Sequence, residues 1–128
     1  MKFLDLGGGQ PTGEYAIGFV RTEDEDAGWV SLNKSKLANP TFVGCAGNME
    51  MFEDNTFDHV RAIHFPSSSL NVNVLLEIRR VLKPRGHVFI RTGRDILDNI
   101  NFARGFMAIF RATLISGHSD YLGVKPSP

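Results

Sequence analysis

Short apolar runs alternate along this chain with segments of helical spacing, and no other feature limits the fold so much. Residues 2–6 (KFLDL) form an apolar run that ends in Gly7-Gly8-Gly9, the pattern of a buried strand entering a tight loop. Thr12 is placed to cap a helix over residues 13–21, with Ala16, Ile17 and Val20 on one face. The acidic residues 22–26 (TEDED) suit a solvated loop. Further strands are predicted over residues 29–32, 41–44, 57–63 and 87–91, with only a short helical turn at 34–38. Residues 70–82 place Val74, Leu75, Ile78, Val81 and Leu82 at helical spacing, after a cap offered by Ser67–Ser69. Residues 83–86 (KPRG) are expected to stop that helix. A second long helix is predicted over residues 95–108, with Ile96, Ile100, Ala103 and Met107 in register. Residues 109–115 and 121–124 read as a closing pair of strands. Such alternation, ended by a hairpin, implies an α/β fold on a mostly parallel sheet with one antiparallel member.

The chain has 128 residues, which suits a single domain over 1–128, and 42% hydrophobic residues supply a core. Fourteen basic residues balance 14 acidic ones. A dedicated nucleic-acid surface needs an excess of Lys and Arg, so that class is disfavoured. The single cysteine, Cys45, excludes an internal disulfide. It is expected to be a small buried hydrophobe. No apolar leader follows Met1, and no run approaches the ~20 apolar residues of a membrane helix. A cytoplasmic location is the resulting expectation.

Three segments together resemble the class I S-adenosylmethionine-dependent methyltransferase family, of the methyltransferase type 11 kind. Leu4-Asp5-Leu6-Gly7-Gly8-Gly9 resembles the family's first strand and glycine loop. Residues 52–58 (FEDNTFD) are similar to the approach to its fourth strand. Residues 75–86 (LLEIRRVLKPRG) closely resemble the helix and turn before its fifth strand. Residues 121–126 are similar to its last strand. The resemblance implies a Rossmann-like sheet of seven strands in the order 3-2-1-4-5-7-6, strand 7 antiparallel, flanked by helices. It also implies S-adenosylmethionine as cofactor and methyl transfer as the reaction. Ligands of such sheets lie at the carboxyl ends of the strands, where strand order reverses. The cofactor site is therefore expected along Asp5, Gly7, Gly8, Gly9, Ser31, Asn33, Gly47 and Asn48.

The cofactor motifs are degenerate. Where the family carries an acidic residue for the ribose hydroxyls, Ser31 stands at the matching position and Asn33 follows two residues on. A neutral acceptor weakens such a bond by about 1 kcal/mol. The family's next acidic position, near the adenine, falls on Ala46, and Asn48 is the nearby polar substitute. Arg85 replaces the first glycine of the usual Pro-Gly-Gly turn. The usual N-terminal helical cover is expected to be missing, leaving the site open unless a partner protein closes it. His64, just after the fourth strand, is the candidate catalytic residue, as a general base with an ordinary pKa near 6.5. His59, His87 and His118 show no metal-ligand spacing, so no metal site is expected. The basic residues Arg79, Arg80, Lys83, Arg85, Arg91 and Arg94 suit a solvated face.

The sequence thus favours a methyltransferase of unknown acceptor, small or macromolecular. The alternative is a catalytically silent methyltransferase-like domain that binds a partner protein. A nicotinamide dehydrogenase is disfavoured, because Gly7-Gly8-Gly9-Gln10-Pro11-Thr12 lacks the G-x-G-x-x-G spacing and Ser31 is not acidic.

Overall fold

The computed structural model describes residues 2–7, 29–34, 41–65, 71–92, 96–116 and 120–126. The predicted 13–21 helix, the 22–26 loop, the 34–38 turn beyond Lys34, and Gly8 and Gly9 lie outside the described residues. The strands are β1 (Phe3–Leu6), β2 (Trp29–Asn33), β3 (Phe42–Val43), β4 (Phe57–Phe65), β5 (Leu82–Thr92), β6 (Arg111–Ser116) and β7 (Asp120–Val124). Two helices, α1 (Val72–Val81) and α2 (Ile96–Ile109), flank β5 in the chain. The seven strands form one sheet in the order β3-β2-β1-β4-β5-β7-β6. Strands β1 to β5 pair in parallel, and β7 runs antiparallel to both β5 and β6. Order and direction are those implied by the resemblance to the family.

Side chains alternate between the two faces of each strand. Leu4, Leu6, Leu32, Val60, Ala62, Val88, Ile90 and Tyr121 fall on one face and are buried. Helix α1 covers that face through Val74, Leu75, Ile78 and Val81, the residues chosen by periodicity. Its N-cap differs from expectation. Asn71, not the serine run, accepts from the Val74 amide at 3.2 Å. A cap must sit next to the first helical residue, and the helix begins only at Val72.

Helix α2 packs Ala103 against the core as predicted but departs from expectation at Met107. Met107 is 61% exposed, whereas Phe106, Ile109 and Phe110 are buried. The rings have more apolar surface to remove from water, and they set the rotation of the helix. Phe106 lies 5.6 Å from the Tyr121 ring and occupies the space above Gly123, where a Cβ would come within 2.7 Å of it.

The opposite face carries a row of rings across three strands. Phe3 lies 5.3 Å from His59, and His59 stacks on His87 at 5.2 Å. Burial, and then the neighbouring His87, push the His59 imidazole below the usual histidine value. Its neutral form is thereby favoured among apolar neighbours.

The KPRG turn ends α1 as expected but belongs to β5, which starts at Leu82 rather than at His87. The pairing runs Phe57↔Leu82 and then His59↔His87, so residues 83–86 bulge out of the ladder. Arg85 stands in the left-handed region at φ 66. Its amide bonds to the Lys125 carbonyl at 3.1 Å, and the Lys125 amide returns to Gly86 at 2.9 Å. A residue with a Cβ pays about 1–2 kcal/mol there. Replacing Arg85→Gly should therefore raise stability by about 1 kcal/mol, after allowing for the greater freedom of glycine in the unfolded chain. Urea denaturation of the two proteins would check this, and a loss of stability would contradict the assigned backbone.

Candidate functional site

The carboxyl ends of β1, β2 and β3 are tied together by a small set of backbone bonds. Gly7 turns the chain out of β1 at φ 78, a conformation for which glycine carries no steric cost. Its amide donates to the Leu32 carbonyl at 2.8 Å. Asn33 closes the corner, donating from Nδ2 to the Gly7 carbonyl at 2.9 Å. The Gly44 amide then bonds to the Asn33 carbonyl at 2.9 Å. Beyond it residues 45–48 make a tight turn, with the Asn48 amide on the Cys45 carbonyl at 3.1 Å. Gly7, Asn33, Gly47 and Asn48 thus share one edge of the sheet. At Gly47 an added Cβ would make only ordinary contacts, 3.8 Å to Cys45 Sγ and 3.9 Å to Val74. Cys45 itself is exposed, not the buried hydrophobe expected. The turn points its side chain outward and buries Ala46 instead.

Ser31 behaves differently from its neighbour Asn33. It is 0% exposed. Its hydroxyl accepts from the Thr41 amide at 2.9 Å and lies 3.3 Å from the Thr41 hydroxyl, which in turn accepts from the Ser31 amide at 3.0 Å. This reciprocal pair fastens β2 to the start of β3. The hydroxyl is thereby committed to the sheet, and the side chain presented at the strand end is that of Asn33.

Asp5 is 1% exposed and faces β4, where Arg61 donates from Nε to Oδ2 at 2.8 Å. The pair follows from register, since Asp5 sits opposite Ser31 on one side and Arg61 on the other. Nothing in the sequence marked Arg61, because the partnership exists only once β1 and β4 are adjacent. His64 lies near the carboxyl end of β4, between Ile63↔Arg91 and Phe65↔Thr92. Two residues of β4 there match one of β5, so His64 is the extra residue of a bulge.

Arg80, placed by the sequence on a solvated face, works inside the structure. Its guanidinium reaches Glu77 at 2.6 Å, the carbonyls of Met49 and Phe52 at 2.8 Å each, and Asp54 at 2.8 Å. Glu77 accepts from the Met49 amide at 2.8 Å. The Arg80 hydrogen bond holds the Glu77 carboxyl below the usual carboxylate range, against the opposing effect of burial. The i,i+3 spacing of opposite charges was legible in the sequence, but its loop targets were not.

A separate cleft of about 420 Å³ lies at the amino ends of the strands, lined by Lys2, Val30, Phe42, Met51, Phe52 and Phe57 among others. It is on the far edge of the sheet from Gly7 and Asn33. Among the described residues no three His, Cys, Asp or Glu side chains are grouped to hold a metal ion, and no helix is long and apolar enough to cross a membrane.

Strand order and the glycine corner at the switch point define a Rossmann-like methyltransferase fold. Solved structures agree. The chain matches a protein of Pyrococcus horikoshii OT3 at 24% identity and a TM-score of 0.68, over 98% of this chain and 82% of that one. It matches an S-adenosylmethionine-dependent methyltransferase from Aquifex aeolicus at 14% identity and 0.60, over 98% and 81%. A third match, at 16% identity and 0.68 over 98% and 83%, comes from a complex between the Haloferax volcanii Trm112 methyltransferase activator and a candidate methyltransferase. No curated protein matches the sequence. The model of the methyltransferase domain family matches residues 4–90, and the chain belongs to that family. Its function is therefore that of an S-adenosylmethionine-dependent methyltransferase, with S-adenosylmethionine as the cofactor.

Breaking a buried ion pair from one side strands the other charge. Arg61→Leu should lower stability by about 3 kcal/mol by taking a charged partner from the buried Asp5 carboxylate. Adding Asp5→Asn to that variant should recover most of the loss, because a carboxamide costs less to bury than a charge. Denaturant midpoints of the three proteins would check both effects.

Proposed function

We propose that this chain transfers a methyl group from S-adenosylmethionine bound across the carboxyl edge of β1, β2 and β3. The observation that carries this is the Gly7–Asn33 corner. A glycine at positive φ opens the backbone beside a strand-end side chain that can accept from a ribose hydroxyl. The donor set fits the cofactor through neutral groups. Asn33 serves the ribose, Gly47 and Asn48 border the base, and Gly7 gives close backbone approach. Asp5, fixed by Arg61, anchors the end of β1 two residues before Gly7. Ser31 supports the site through Thr41 without touching the cofactor.

The cofactor supplies an activated methyl group, so the chain has mainly to hold the acceptor in line with it. His64 is assigned that role, as the residue that orients the acceptor or takes its proton. Its support is its place as the extra residue of the β4 bulge, near the carboxyl end of that strand. A protein partner belongs to the same proposal. Phe42, Val43 and Met51 are each exposed on or beside edge strand β3, and apolar side chains left on an edge strand suit a protein surface.

Calorimetry with S-adenosylhomocysteine tests the site directly. Asn33→Asp should bind it about fivefold more tightly, since a charged acceptor strengthens the ribose bond by about 1 kcal/mol, while loss of the Nδ2 bond to the Gly7 carbonyl should appear as lower stability. Ser31→Asp should instead lose stability without any gain in affinity. It would bury a second carboxylate directly beside Asp5. Tighter binding in Ser31→Asp and none in Asn33→Asp would reverse the assignment. Absence of binding by the unaltered protein would leave a silent, partner-binding domain.

His64→Gln should lower turnover with little change in cofactor affinity, because the residue serves the acceptor and not the donor. If His64 acts as a base, the rising limb of the pH–rate profile should vanish in the variant. Equal losses in turnover and cofactor affinity would remove His64 from this role.

A further inference from the structure

Residues 49–56 carry the chain from the 45–48 turn to β4 without a helix or strand of their own. Buried backbone groups in such a segment must find partners elsewhere. Met49 is the critical residue, 0% exposed and directly after Asn48. Its amide donates to Glu77 Oε1 at 2.8 Å, and its carbonyl accepts from Arg80 Nη2 at 2.8 Å and from the Phe52 amide at 3.0 Å. Arg80 Nη1 also reaches the Phe52 carbonyl and the Asp54 carboxylate, each at 2.8 Å. One guanidinium therefore holds two carbonyls and two carboxylates, while the neighbouring glutamate holds the amide. Both side chains stand on α1, whose apolar face is locked to the sheet. The segment is thus fixed to α1.

We propose that Glu77 and Arg80 are positioning residues for the base of the cofactor. They act through Met49, holding the 45–48 turn so that Asn48 meets the adenine edge at a fixed distance. This rests on the cofactor site assigned above. The residue types suit the task. A planar fork presents several donors at fixed angles, whereas a lysine ammonium is a point charge that cannot serve four acceptors in one plane. Neither residue touches the cofactor, and Asn48 is the group that does.

The experiment compares S-adenosylhomocysteine with its inosine counterpart, which lacks the adenine amine, using the full chain. Dissociation constants are measured for the unaltered protein and for Arg80→Lys, Glu77→Gln and Asn48→Ala, each shown to be folded by its thermal transition. The unaltered protein should prefer the adenine ligand. Arg80→Lys and Glu77→Gln should each weaken that ligand about tenfold and the inosine ligand far less, so the preference collapses. Arg80→Lys should add little once Asn48→Ala is present, because both remove the same contact. In the ligand-free protein, the amides of Asn48, Met49 and Phe52 should exchange faster in Arg80→Lys while those of β4 and β5 stay protected. A preference that survives in Arg80→Lys and Glu77→Gln, or equal weakening of both ligands, would reduce the pair to a stability element and overturn the proposal. Unchanged exchange at Met49 would also overturn it, without any reference to the cofactor. An unaltered protein that binds adenine and inosine ligands equally would overturn it too. Failure to bind either ligand would remove the cofactor site itself, and the positioning role with it.

Discussion

Strand β1 is paired on both sides, to β2 and to β4, and the rest of the molecule depends on that register. Side chains alternate with a period of two, so the register sends Leu4 and Leu6 under the helices and Asp5 to the other face. A slip of one residue would put a carboxylate among Val74, Leu75 and Ile78 and turn both leucines outward. The buried leucines therefore hold Asp5 opposite Arg61. They also make Gly7 the first residue free of the ladder, at the height where β2 ends in Asn33. The corner of the site is thus a consequence of burying two leucines.

Charge is used locally in a chain whose net charge is zero. Asp5 with Arg61, Asp54 with Arg80, and Asp120 with Arg91 each join parts distant in sequence, while Glu77 pairs with Arg80 within α1. The pairs differ in what they achieve. The exposed Arg91–Asp120 pair links β5 to β7 at its rim and contributes little to stability. The Asp5–Arg61 pair permits a buried carboxylate in β1, two residues before Gly7. Arg80 supplies donors to carbonyls that no helix or strand satisfies. The segment that leads from the 45–48 turn to β4 is ordered by side chains of α1, and its exact course follows from the length and planarity of one arginine.

Much of the fold was legible because period and punctuation carry it. The apolar stripe of α1 was read from spacing alone, as were most strand types, whereas the order of the strands came from the resemblance to the family. The errors fall where local signals competed. Three serines outweighed Asn71 as a cap, yet a cap must adjoin the helix. Met107 matched the spacing chosen for α2, yet the helix turned to bury Phe106 and Phe110 against Tyr121 and Gly123. In the site, Gly7 and Asn33 stood out as a glycine and a polar residue at strand ends. Ser31 did not reveal its commitment, because Thr41 lies ten residues away and meets it only after β2 and β3 pair.

By itself the sequence determined the class of fold, the face of α1 that is buried, the glycine corner after β1 and the family. These follow from residue order within a few turns or one strand, where backbone geometry and hydrophobic period act without distant partners. Tertiary structure alone decided that Asp5 meets Arg61, that Ser31 serves Thr41, and that Arg80 turns inward to residues 49–54. Each of those contacts joins groups that the sheet brings together from separate segments. A polar side chain has several satisfactory partners in an unfolded chain, and only the packed register selects one.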